Sequence, residues 1–214
     1  MDFHTHSVSS PDGSITAAEY REVLDKGILD CVAITDHNEI EFAVELQREL
    51  GTEKIIVGEE ISTVSGEIIG LFLKKRIKPH QSVEETIAEI KKQGGVVYIP
   101  HPFETVRKGV SMKLLNRISH TIDVIETANG RALFQNKGPK AYRWARQNKI
   151  LMAASSDAHH APALGKTFTL LSEIPTAKTL GALLSTARKQ YKRPSAHDVL
   201  APKRSKLMKK IGKL

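Results

Sequence analysis

His4 and His6 stand two residues apart in Asp2-Phe3-His4-Thr5-His6, and Asp157 and His159 repeat that spacing in Ser155-Ser156-Asp157-Ala158-His159. In an extended strand alternate side chains share one face, so each pair can aim two donors at one point. Imidazole and carboxylate are ligand types that zinc, manganese and iron accept. The two pairs predict a metal site and, through it, a hydrolase.

Apolar runs at 2–5, 30–35, 54–58, 67–73, 95–99, 122–127, 150–154 and 167–171 read as strands, and 16–26, 39–50, 82–93, 111–118, 135–148 and 177–190 as helices. Thr16 before Glu19 and Ser82 before Glu85 match capping boxes, and Gly27, Gly51 and Gly94 fall at helix ends. Ser65-Gly66 predicts a local hairpin into 67–73. The alternation predicts a single-domain α/β architecture.

The polar residues gather at the ends of these strands. His4 and His6 end the first, Thr35-Asp36-His37 the second, Glu59 and Glu60 follow the third, and His101 follows 95–99. Glu126 and Asn129 end 122–127, and Asp157 and His159 follow 150–154. In a parallel barrel such ends converge on one face, where active sites form. The polar loop 7–13 can return Asp12 to the same mouth. The candidate ligands are His4, His6, Asp12, His37, Glu60, His101, Asp157 and His159. Eight donors exceed one tetrahedral ion and suffice for two with a bridging carboxylate. Paired ions ~3.5–4 Å apart clamp both oxygens of a phosphoryl displacement. Nitrogen and oxygen donors without thiolate admit Zn, Mn or Fe. Each motif also has an ordinary reading: a helix cap at Asp36, a turn at His101-Pro102, a surface acid at Glu60. Those readings together require every donor to reach a strand end by accident.

The 214 residues suit one domain or a single barrel. No stretch is apolar enough to span a bilayer, and no basic-then-apolar leader precedes Asp2, so a cytoplasmic protein is expected. Cys31 is the one cysteine and lies in an apolar run, which predicts a buried thiol. Of 32 basic residues, ten fall within 188–214 beside a single acid, Asp198; the rest of the chain carries 22 basic and 23 acidic residues. The net charge of +8 therefore belongs to the tail, and the body gives no indication of nucleic-acid binding.

At Asp2-Phe3-His4-Thr5-His6-Ser7 with Asp12-Gly13, Ile34-Thr35-Asp36-His37, Gly58-Glu59-Glu60-Ile61-Ser62, His101-Pro102 and Ser156-Asp157-Ala158-His159, the chain resembles the polymerase and histidinol phosphatase (PHP) family. The pieces run in the family's order over about residues 2–170. Within the family, 66–72 and His101-Pro102-Phe103 look most like the stand-alone metal-dependent phosphoesterases. The resemblance implies a distorted, TIM-like (β/α)7 barrel over residues 1–190 and a cluster of two or three divalent ions. It would place one ion on His4, His6, Glu60 and Asp157, a second on Asp12, His37 and His159, and a third on Glu60 and His101. Three-metal members often carry another histidine on the strand after the glutamate. This chain has Ile68 and Ile69 there, so a third ion is expected to be weak, water-rich or missing. His80, the one nearby histidine, reads as a solvated loop residue, and His120, His160 and His197 are expected outside the site.

A phosphoester needs matching cations, and Arg supplies them bidentately. Arg107, Arg131 and Lys166 follow strand-end motifs and are candidates for the mouth; Asp36 is expected to orient a neighbouring ligand. The expected activity is hydrolysis of a small phosphorylated substrate or nucleotide. The rivals are a nuclease using the same site, an amidohydrolase-type barrel, and a metal-stabilised accessory module. In the tail, 191–214, Leu200, Leu207, Met208, Ile211 and Leu214 recur at helical spacing among lysines. That pattern predicts a basic amphipathic helix, packed on the barrel or meeting an acidic partner or surface.

Overall fold

The computed structural model describes residues 1–133 and 135–213. Seven strands form one sheet in sequence order: β1 (Asp2–Thr5), β2 (Val32–Ile34), β3 (Ile55–Thr63), β4 (Gly66–Leu71), β5 (Val96–Ile99), β6 (Val124–Asn129) and β7 (Leu151–Ser155). The β3–β4 and β4–β5 pairs are antiparallel and the others parallel. The sheet curls until its edges meet, where the His6 N–H donates to Ala158 O at 2.8 Å and Thr5 bridges Ala158 in parallel. The result is a nearly closed, distorted barrel. The expected hairpin at Ser65-Gly66 is its distortion, since β4 returns directly where a helix would otherwise cross over.

Six helices sheath the strands: α1 (Ala17–Asp25), α2 (Glu41–Leu50), α3 (Val83–Lys92), α4 (Met112–Ile118), α5 (Gly138–Asn148) and α6 (Leu180–Thr186). Thr16 and Ser82 complete their capping boxes, so the first backbone donors of α1 and α3 are met locally. Strand residues alternate between two cores. Ile34, Ile55, Val57, Ile68, Val97 and Ile99 pack with helix residues such as Tyr20, Leu46 and Trp144, while Ala33, Ile56, Ile69, Tyr98 and Ala153 fill the other side. Cys31 is buried there as a free thiol, and burial pushes it up to about 12. No helix among the described residues is long and apolar enough to cross a membrane.

Two sequence expectations change. The helix predicted over 177–190 stops at Thr186, and Arg188–Gln190 forms a strand, β9, antiparallel to β8 (Phe168–Leu170) in a separate sheet. The burial of Leu180, Leu183 and Leu184 is helical, but all three β9 residues are exposed, so that segment gains nothing from continuing the helical stripe. In the tail a helix, α7 (Ala196–Lys210), does form, with a capping box between Ser195 and Asp198. Its apolar stripe points outward: Leu200, Leu207 and Ile211 are 55%, 59% and 53% exposed. Leu214 lies outside the described residues. The face laid on the barrel is Asp198, Ala201, Pro202 and Ser205, small side chains that permit close approach.

Polar ties orient α7. Asp198 accepts from Lys166 Nζ at 2.8 Å and pairs with His160 Nε2 at 2.9 Å, and Lys209 Nζ donates to the carbonyls of Val8 and Ser10. Lys166, a candidate for the mouth, is thereby committed to α7. Burial opposes the Asp198 charge, yet Lys166, Ser195 and His160 hold its carboxyl below the usual range. Asp198→Ala should therefore cost about 1–3 kcal/mol and lower the melting temperature by several degrees in calorimetry. Because the folded value is depressed, the difference from wild type should be full above about pH 4 and fade as pH falls below it.

Candidate metal centre

All eight candidate donors meet at the barrel mouth. His4 and His6 bring their Nε2 atoms to 3.1 Å, with Glu60 Oε2 at 3.3 and 3.2 Å and Asp157 Oδ1 at 3.6 and 3.5 Å. His37 Nδ1 lies 3.3 Å from Glu60 Oε2, and Asp12 Oδ1 lies 3.7 Å from His37 Nε2 and 3.4 Å from His159 Nε2. His101 Nε2 reaches Glu60 Oε1 at 2.9 Å. Three groups have ligand atoms within 4.8 Å of one another: His4-His6-Asp157, His6-Asp12-His37-His159 and His4-Glu60-His101.

Glu60 does not follow its strand as the sequence suggested. β3 runs to Thr63, and Glu60 lies within it, opposite Ile69 of β4. The parallel bridge between His37 and Glu60 then fixes the end of β2 against that point. Loop 7–13 is equally constrained. Asp36 accepts from Ser7 N at 2.6 Å and Ser7 Oγ at 2.5 Å, and Ser10 Oγ donates to Asp12 Oδ1 at 3.1 Å. A Cβ on Gly13 would stand 2.1 Å from Ser7 O, so only glycine lets the loop close this tightly. Two donors occupy the left-handed region, His101 at φ 28° and Asp157 at φ 53°. Such backbone costs about 1–3 kcal/mol per residue and persists where surrounding bonds over-determine it. Here the bonds are His101 N–H to Glu126 Oε2 (2.7 Å) and the Ala158–His6 seam.

The donor set fits cations. His159 Nδ1 lies 2.9 Å from Asp157 O, an acceptor, so its proton belongs there and Nε2 carries a lone pair. That lone pair faces Asp12 Oδ1. Burial, with His6 and Arg131 nearby, pushes His159 down to about 3, so protonation does not relieve the contact near neutral pH. His4 repeats the pattern. Nδ1 faces Glu126 Oε1 at 3.3 Å, leaving Nε2 aimed at His6 and two carboxylates. A proton or a cation must fill that space. Burial works against a charged His4, but Asp157 and Glu60 raise it well above the ordinary value, the signature of a spot that demands positive charge. His101 Nδ1 is buried without a partner among the described residues.

A family model described as PHP-associated (PHP_C) matches residues 137–190. An uncharacterized Methanocaldococcus jannaschii protein, MJ0417, is 31% identical over 191 residues, covering 83% of this chain and 73% of the relative. A second from that organism, MJ1587, is 34% identical over 148 residues, covering 63% of this chain and 86% of the relative. The chain belongs to the PHP family. A two-domain Bacteroides vulgatus protein containing a predicted PHP-like metal-dependent phosphoesterase superposes with a TM-score of 0.65 at 22% identity, over 96% of this chain and 68% of that one. At that identity the likeness concerns the fold.

Within this PHP barrel the other candidates separate by their bonds. Arg107 commits its guanidinium: Nε and Nη2 to Glu104 at 2.8 and 2.6 Å, Nη1 to Asn129 Oδ1 (2.6 Å) and Asp157 Oδ2 (2.5 Å). It is a strut for Asp157 rather than a free anion holder. Arg131 places Nη1 3.1 Å from Asp157 Oδ1, and its buried Nε has no partner among the described residues. Asp36 touches Ser7 rather than an imidazole, so it positions the Asp12 loop. His80 and His120 are exposed, and His160 meets His197 edge-to-face at 4.7 Å and bonds Asp198.

Two further residues join the site, Glu126, which the sequence places at a strand end without a role, and Glu67, which it does not single out. Glu126 joins His4, His101 N–H, Tyr98 and Asn129, and the missing signal was a partner for its strand-end position. Glu67 is 7% exposed with Oε2 4.0 Å from His101 Nε2. It pairs with Ser62 while Ile69 pairs with Glu60, so 67 and 69 share the Glu60 face. Strand alternation, which puts 67 on the face of 69, is the signal for it. Burial and the nearby Glu60 push Glu67 up to about 7. Partners of this outer kind tune a metal by about 10–100-fold. Glu126→Gln should accordingly weaken metal affinity by that order, measured by titration of the chelated protein.

Proposed function

We propose that this PHP protein is a metal-dependent phosphoesterase acting on a small phosphorylated substrate. The observation carrying this reading is the convergence of the His4 and His159 Nε2 edges, each with its Nδ1 turned to an acceptor, on Glu60, Asp157 and Asp12 beside a cation-lined mouth. His4, His6, Glu60 and Asp157 would hold one divalent ion, and Asp12, His37 and His159 a second. Glu60 and His101, with Glu67, offer a third position richer in oxygen. Zn, Mn and Fe suit the first two. When bound, such ions supply Lewis acidity and a water acidified toward neutral pH.

The protein's own groups do the rest. Arg131, with donors to spare, takes the phosphoryl oxygens, while Arg107 fixes the carboxylate of Asp157 and the amide of Asn129. Asp36, through Ser7, keeps the Asp12 loop closed over the mouth. Glu126 holds a proton on His4 Nδ1, which keeps Nε2 available as a donor atom. Lys108, Lys203 and Lys206 line the opening and concentrate anions there.

The test is elemental analysis of protein purified without chelator, followed by a panel of phosphomonoesters, short oligonucleotides and amides under matched metal conditions. Hydrolysis of monoesters supports the reading. Preference for oligonucleotides would make the protein a nuclease, and bound metal with no turnover would make it an accessory module.

A further inference from the structure

A second chamber adjoins the mouth that the candidate metal ligands line. The mouth encloses about 420 Å³ and the neighbouring chamber about 220 Å³. Val106, Arg107, Arg131 and Lys203 line both, so the two spaces adjoin. Their chemistry differs sharply. The chamber's apolar walls are Val106, Ala132, Leu133, Val199 and Leu200, with Glu104, Gln135 and the shared cations completing the lining. Two of these, Val106 and Leu200, are large apolar residues left 76% and 55% exposed, an arrangement that solvation alone does not favour.

Away from Arg131 and Lys203, which the chamber shares with the mouth, its polar side chains are engaged with one another or with Asp157 and Asn129. Gln135 Oε1 accepts from Thr105 N at 3.0 Å and its Nε2 donates to Thr105 Oγ1 at 3.0 Å. Glu104 is occupied by Arg107. Beyond the Arg131 and Lys203 border the chamber therefore offers contact area with little hydrogen-bond readout. An aliphatic cavity of ~150 Å³ is already large enough for benzene, whereas whole drug-sized ligands need ~300–1,000 Å³. One ring fits; a longer body does not.

We infer that this chamber is a leaving-group subsite, receiving an apolar, ring-sized portion of the alcohol esterified to the phosphate. The inference rests on the phosphoesterase reading and names its substrate class. Arg131 borders both spaces, so a phosphoryl group held by its guanidinium puts the attached alcohol at the chamber entrance. The α7 helix, seated by Asp198 and Lys209, supplies one wall through Val199 and Leu200. The outward stripe of α7 thus acquires a use for one of its members. With Arg131 engaged by the phosphoryl group and the far walls apolar, discrimination among rings follows size and apolarity.

The experiment compares benzyl phosphate with ethyl phosphate, esters whose leaving alcohols have similar acidity, in manganese-loaded wild type, Val199→Asp and Leu200→Asp. The wild type should favour the benzyl ester in kcat/KM by roughly tenfold or more, the range expected of an apolar pocket. Either aspartate should reduce that ratio at least about fivefold; Leu200, being exposed, tolerates the change even if Val199→Asp folds poorly. Calorimetry with the unreactive benzylphosphonate and ethylphosphonate should show the same order of affinity, lost in both variants. An equal benzyl-to-ethyl ratio in all three proteins, with both esters hydrolysed, would overturn the subsite alone. Hydrolysis of neither ester by wild type would remove the phosphoesterase reading and the subsite with it.

Discussion

Replacing Asp157 by Ala is expected to lower phosphoester turnover by at least about a thousandfold and to reduce the bound metal. Asp157 Oδ1 stands between His4 and His6, and its two oxygens anchor Arg131 and Arg107. Burial disfavours its charge, yet Arg131, His4, His6 and Arg107 together hold the carboxyl well below the usual range. It is therefore an anion at every working pH and a ready metal donor. Losing several kcal/mol of transition-state stabilisation corresponds to that rate factor. The same substitution strands Arg131, 15% exposed, while Arg107 keeps Glu104 and Asn129; a broken buried pair of this kind costs about 3–5 kcal/mol. Asp157→Asn retains the shape and a weaker acceptor, so it should fold better than the alanine variant while still losing turnover. Initial rates, elemental analysis and thermal melts on the three proteins check this. Full rate with full metal in Asp157→Ala would remove the proposed mechanism.

Chelation should produce the other large effect. A ligand present at a thousandfold its dissociation constant stabilises the folded state by about 4 kcal/mol. At about 2–4 °C per kcal/mol for a chain of this size, metal loading should raise the melting midpoint by roughly 8–16 °C. The pH dependence should differ with and without metal. In the metal-free protein burial opposes a charged His37, but Glu60 and Asp12 raise it to about 9. His4 and His6 are raised as well, against burial, by Asp157 and Glu60. A raised histidine contributes stability that is complete below its unfolded value near 6.5 and is lost as pH climbs through the folded value. Chelated protein should thus lose stability from about pH 6.5 to 9. The gain on adding metal should grow over the same interval, because ions and protons compete for the same nitrogens. A metal-independent melting curve across that range would argue that the cluster holds no ion.

Much of the barrel was legible because its signals are local. His4-x-His6 and Asp157-x-His159 state their spacing within three residues, and capping boxes at Thr16 and Ser82 mark helix starts directly. What was hidden depends on partners distant in the chain. Glu60 looked like a residue beyond a strand because β3 continues only through pairing with β4. Glu67 acquires a site position from its register against Ser62. Arg107 seemed free until Glu104, Asn129 and Asp157 were seen to occupy it. The α7 stripe is the sharpest case. Periodicity identified the helix, but Asp198 and Lys209 decide which side meets the barrel, and they turn the leucines to solvent.

The joint between β1 and β7 gives the cluster a mechanical role. His4 and His6 leave one lip of that joint, Asp157 and His159 the other, and the backbone bridges between the lips are few. An ion gripped from both sides is a clasp across residues more than 150 positions apart in the chain. Ion escape and parting of the lips become a single event. Amide exchange at Thr5, His6 and Ala158 should slow on metal binding more than exchange in α3, on the opposite flank.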